Sequence, residues 1–103
     1  MANTTMKLLK DITAYAIKCD YYMWSEEKGE YTEPVYWAID TSTKAYIIIM
    51  TETVNDPQLR IFDSLTAVKT YIKNHQTGND ICMENVRPVK IKYDFEKKEW
   101  MEE

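Results

Sequence analysis

One histidine, two cysteines and seventeen acidic residues are the side chains of this 103-residue chain from which chemistry could be built. His75 falls at the end of a predicted helix, where an imidazole gains from the helix dipole. A general base also needs an oriented partner within hydrogen-bond reach, and the sequence supplies none beside it. Cys19 and Cys82 lie in no CxxC or Cys/His cluster. They read as small buried hydrophobes rather than as nucleophiles or ligands. The acid pairs Glu26/Glu27 and Glu30/Glu33 fall in a polar stretch, whereas paired-carboxylate catalysis needs two acids held across a cleft. One histidine and two scattered cysteines make no zinc set, and the Asp-x-Asp-x-Asp-Gly calcium pattern does not occur. Two glycines, Gly29 and Gly78, are too few and too far apart for a phosphate-binding loop. No catalytic, metal or cofactor site is therefore expected, and the reading is of a non-enzymatic protein.

Composition points the same way. The chain is 45% hydrophobic and 29% charged, has a net charge of −4, and a pI of about 5.0. An acidic surface is a poor match for phosphate backbones, so nucleic acid is an unfavoured partner. Lys90 and Lys92, with Arg87, could form a basic strip, but alternating lysines on a strand more simply mark its solvent side. The N-terminal residues lack the apolar run of a signal peptide, and no stretch approaches a membrane span. A cytoplasmic protein with reduced thiols is expected.

The elements follow from periodicity and punctuation. A short helix is predicted over residues 3–10. Residues 12–24 fit both a helical face and strict alternation, but the alternation is longer and runs into the β-prone Tyr21-Tyr22-Met23-Trp24, so a strand is expected. Residues 25–33 read as an acidic loop. Val35–Asp40 is the second strand and Ala45–Glu52 the third. Its run Tyr46-Ile47-Ile48-Ile49-Met50 predicts a central strand covered on both faces. After Asn55-Asp56-Pro57, Asp63 or Ser64 caps a helix over Leu65–His75 with Leu65, Val68 and Ile72 as its buried stripe. Val86–Phe95 is the last strand, and 96–103 is a charged tail, either frayed or folded back through Trp100-Met101. The expected fold is α+β: one domain over residues 1–103, with an antiparallel sheet of about four strands in the order β-β-β-α-β and one main helix on one face. A chain this size should bury a single core.

The feature left over is aromatic. Six of the thirteen aromatic residues, Tyr21, Tyr22, Trp24, Tyr31, Tyr36 and Trp37, lie in one 17-residue stretch and point to both faces of the sheet. Trp37 shares a side with Val35 and Ile39 and should be core, with Tyr36 outside it. Whether Tyr21 or Tyr22 accompanies Tyr36 depends on register. Tyr, Trp and Met are enriched at interfaces, and acids can steer a basic partner. The candidate partner-binding residues are therefore Tyr22, Trp24, Glu26, Glu27, Glu30, Tyr31, Glu33 and Tyr36. The expected function is a small protein-binding or inhibitory module of a kind generic to phage and mobile elements. In one version it is an acidic decoy that blocks the basic groove of a nucleic-acid-handling enzyme. The alternatives are a homodimer burying the aromatic face by symmetry and a small-molecule-binding domain with aromatics lining a pocket.

Overall fold

The computed structural model describes residues 12–42, 47–75 and 83–103; the predicted helix at 3–10, and Cys82, lie outside them. Alternation in the first segment resolves as a strand, β1 (Thr13–Ser25), followed by β2 (Gly29–Asp40), β3 (Ile47–Thr51), helix α1 (Leu65–His75), β4 (Met83–Asp94) and β5 (Glu99–Glu102). The strands form one antiparallel sheet in the order β3-β2-β1-β4-β5, with α1 against the β1/β4 part. The fold is α+β as the pattern implies, with five strands among the described residues rather than four. The fifth comes from the charged tail, which turns at residues 95–98 and folds back. Asp94 drives that turn, its Oδ1 accepting from the Glu96 and Lys97 amides at 2.9 and 3.2 Å.

Three sequence expectations are corrected. First, the acidic loop is mostly strand. Ser25 pairs with Gly29, so the connection shrinks to residues 26–28 and Glu30 to Glu33 join β2. Gly29 at φ 68° and the Lys28 amide bonded to Ser25 Oγ (3.0 Å) close this turn, the arrangement of a short hairpin loop that ends in a left-handed residue. Second, β3 is not central but sits at an edge, and Ile48, Ile49 and Met50 are half-buried. An apolar run reports which side chains avoid water, not which neighbour excludes it. Third, Leu65 is 40% exposed, so the buried stripe of α1 is Val68 and Ile72 alone. The first turn of the helix is occupied with its cap, Ser64 Oγ accepting from the Ala67 amide at 3.1 Å.

Register sorts the aromatics. Lys18 opposes Tyr36 and Tyr22 opposes Thr32, which puts Tyr22 and Trp24 on Tyr36's face and Tyr21 on the other. On the helix face, Ile17, Cys19, Val35 and Trp37 pack with Phe62, Val68 and Ile72. Trp37 is 3% exposed, as its position among apolar neighbours implies. The chain also holds a second, smaller cluster on the opposite face, where one core was expected. Ala14, Ala16 and Ile91 meet Val54 and Leu59 from the β3–α1 connection, with Tyr36, Val89 and Trp100 packed around them. The two alanines are what allow it, since side chains this small let a loop approach the sheet closely. That connection is also stitched to the strands by backbone bonds: Arg60 N to Trp37 O, Ile39 N to Gln58 O, and a reciprocal pair between Tyr15 and Phe62.

Candidate functional site

The sheet's longest part outruns its cover. Pairing of β4 with β1 ends at Tyr21–Met83, and pairing of β3 with β2 ends at Thr51–Tyr36. Among the described residues, 22–32 therefore form a two-stranded ribbon with no third strand beside it. At about 3.3 Å per residue this arm extends beyond the sheet by roughly 10–13 Å. The molecule is correspondingly elongated, 56 × 32 × 26 Å.

The arm carries the large exposed side chains. Trp24 is 67% exposed, Tyr22 47% and Met23 37%. Trp24 lies opposite Glu30 and Tyr22 opposite Thr32 on the face bearing Tyr36; Met23 lies opposite Tyr31 on the helix face. Glu26 and Glu27 occupy the exposed tip. Lys28 is the arm's only base, and its ammonium stands 5.0 Å from the Tyr31 ring centroid. The Tyr22 hydroxyl donates to Glu84 Oε2 at 2.7 Å. That bond, then burial and the charges of Glu84 and Glu30, raises the phenol's pKa above its ordinary value.

The eight candidate residues thus separate. Tyr22, Trp24, Glu26, Glu27 and Glu30 gather on one face of the arm and its tip. Tyr31 and Glu33 point to the helix face, where Glu33 borders an open groove with Tyr21, Met23, Val35 and Met83. Tyr36 stands four positions further down β2 than Thr32, roughly 13 Å away, and packs against the second cluster. Its hydroxyl donates to Glu102 Oε1 at 2.5 Å, and Lys18 Nζ donates to the same oxygen at 2.9 Å. Tyr36 therefore fastens β2 to β5, and its hydroxyl serves the fold.

Two acids that sequence reasoning missed complete the arm's base. Glu84 reaches Tyr22, and Asp20 accepts from Asn85 Nδ2 at 2.8 Å with Arg87 3.8 Å away. Asn85, at φ 54°, belongs to a bulge where the β1–β4 register shifts between Lys18 and Asp20. An asparagine tolerates this left-handed conformation better than most residues, but nothing in the sequence marks the bulge.

Among the described residues, His75 and Cys19 are taken up in packing. The His75 ring stacks on Tyr71, centroids 3.9 Å apart, with Nδ1 donating to the Tyr71 carbonyl at 2.9 Å. Cys19 is fully buried. Among the described residues, no three His, Cys, Asp or Glu side chains are placed to hold a metal ion, and no helix is long and apolar enough to cross a membrane. No protein-family model, no curated protein and no solved structure matches the chain.

Proposed function

We propose that the chain is a non-enzymatic protein-binding module that docks a basic protein surface through the arm at residues 22–32. The observation that carries this reading is Trp24. It is a large indole, 67% exposed at the end of a projecting ribbon, beside Tyr22 and Met23 and bordered by Glu26, Glu27 and Glu30. An aromatic centre with a polar rim is the anatomy of a binding hot spot, and the acids would steer a cationic partner toward it. A small-molecule site is supported less well. Tyr22, Met23, Trp24 and Glu30 border only an open depression, whereas such sites usually enclose most of their ligand. The decoy version is also weakened in detail, because Glu33 faces away from Glu30 and the four acids form no single row.

The test is affinity capture from the cells of origin, with mass spectrometry, using the wild type beside Tyr22→Ala/Trp24→Ala and a Glu26→Lys/Glu27→Lys/Glu30→Lys variant. Partners with basic surfaces should be recovered by the wild type, lost with the aromatic variant, and reduced with the charge reversal in a salt-dependent way. Equal recovery by all three folded proteins would contradict the proposal.

A further inference from the structure

Among the described residues the open strand edges include β5, the arm edge of β2, and β3, besides residues 22–25 of β1 and the part of β4 before Lys90, and the first two are blunted. Trp100 on β5 presents its backbone outward, and both of its groups are met by one side chain: Asn55 Nδ2 donates to the Trp100 carbonyl (3.1 Å), and the Trp100 amide donates to Asn55 Oδ1 (2.6 Å). The arm edge of β2 presents the backbones of Glu30, Thr32 and Pro34, because the odd-numbered residues of β2 turn theirs the other way. Pro34 has no N–H to offer there, and Glu30 is charged; both are devices that discourage edge pairing.

The β3 edge has neither device. Trp37 O and Ile39 N bond the 58–60 segment, so Tyr36, Ala38 and Asp40 are the β2 residues that turn toward β3. They oppose Thr51, Ile49 and Ile47. It follows that Ile48 and Met50 direct their N–H and C=O groups outward, and no described residue meets them. The strand Ile-Ile-Ile-Met-Thr carries no charge, proline or glycine.

We infer that β3 is an edge-to-edge dimer interface, and that its occupant is β3 of a second copy of this chain. The pattern is self-complementary. A two-fold axis at Ile49, perpendicular to the sheet, pairs Ile48 with Met50 of the second copy and Met50 with its Ile48. Each pair exchanges two backbone bonds, four in all. Ile49 then faces its own counterpart in the central non-hydrogen-bonded pair, where side chains come closest. On the helix face, Ile48 and Met50, already packed against the core containing Trp37, meet the same residues of the second copy. Charge does not oppose the arrangement: Glu52 and its counterpart fall six positions apart across the axis, about 20 Å. Such an isologous contact closes on itself. It continues the sheet into one of ten strands and points the two arms in opposite directions. This dimer differs from the one expected from sequence, because it leaves the aromatic arm uncovered.

A five-residue edge is a small interface, so association is expected in the range of about 10 µM to about 1 mM. The test is sedimentation equilibrium of the wild type from about 1 µM to about 1 mM. The apparent mass should rise from 12.2 kDa toward twice that value. Ile49→Lys, which sets like charges directly opposite each other, should weaken association about tenfold or more with an unchanged circular dichroism spectrum. As a second probe, Ile49→Cys in a Cys82→Ser background should form a disulfide-linked dimer under mild oxidation, and Met23→Cys in the same background should not. A wild-type protein that stays at 12.2 kDa throughout overturns the inference. So does a dimer that a folded Ile49→Lys leaves intact and Ile49→Cys fails to cross-link.

Discussion

Tyr36 and Glu102 are 66 positions apart, yet the Tyr36 hydroxyl donates to Glu102 Oε1 at 2.5 Å across the intervening β1 and β4. Lys18, on β1 between them, donates to the same oxygen and lies 5.4 Å from the Tyr36 ring centroid. This clasp holds the last strand to the sheet. Tyr36→Phe keeps the ring and removes the bond, so the expected loss is about 1 kcal/mol, kept small by partial exposure. Urea denaturation checks it. The same variant should leave partner recovery unchanged, because the hydroxyl serves the fold and not the arm.

The clasp also sets a pH window. Burial pushes the Glu102 carboxyl up, but the bonds from Tyr36 and Lys18 outweigh it and hold the group below its ordinary 4.5. The stabilisation from Glu102 is therefore complete above that value and is lost as pH falls through the lower folded value. Lys18 is raised above 10.5, first by its hydrogen bond to Glu102 and against the opposing effect of burial. Tyr36 is raised above 10.0, first by burial and then by its bond to Glu102. Their contributions are present below those values and are lost as pH rises through the folded ones. Stability measured by urea midpoint should fall at both ends, and Glu102→Gln should flatten the acid limb.

Gly29 closes the arm's turn at φ 68°, and a Cβ built there meets nothing within 4 Å. Gly29→Ala should then cost about 1–2 kcal/mol through backbone conformation alone, and Gly29→Asn less. Comparing the two variants by thermal denaturation separates backbone strain from crowding, since crowding would penalise the larger asparagine more.

Ile17 is fully buried beneath α1. Ile17→Ala should cost about 2–5 kcal/mol, a large share of the stability of a domain this size. Trp24→Ala, on the exposed arm, should change stability by about 0.5 kcal/mol or less. Chemical denaturation of the two variants side by side tests the division of labour between sheet and arm.

What the sequence reveals, and what it withholds, divides along the same lines. Local signals are legible: alternation gives β1, Ser64 and the Val68/Ile72 spacing give α1, and the apolar company of Trp37 gives the helix-face core. Contacts distant in sequence are not. Nothing near Tyr36 announces Glu102, and nothing near Ala14 and Ala16 announces that Val54 and Leu59 will cover them. The acidic stretch misleads because glutamates disfavour strands only weakly, and the Ser25–Gly29 pairing decides the matter. For the candidate site, the exposed aromatics were visible as an excess, but their division between the two faces needed the β1–β2 register. The apolar β3 was legible as a surface avoiding water, while its place at an edge came from the order of strands.

The central claim, that Trp24 on the arm is the docking residue, is tested most directly by hydroxyl-radical footprinting of the free protein and of the captured complex. Trp24 is 67% exposed, Trp37 is 3% exposed, and Trp100 is half-buried, so one spectrum contains its own controls. In the free protein Trp24 should oxidise fastest of the three and Trp37 slowest. In the complex Trp24 should become protected while Trp37 stays unreactive. Trp24 oxidation that proceeds equally fast in the complex would contradict the account.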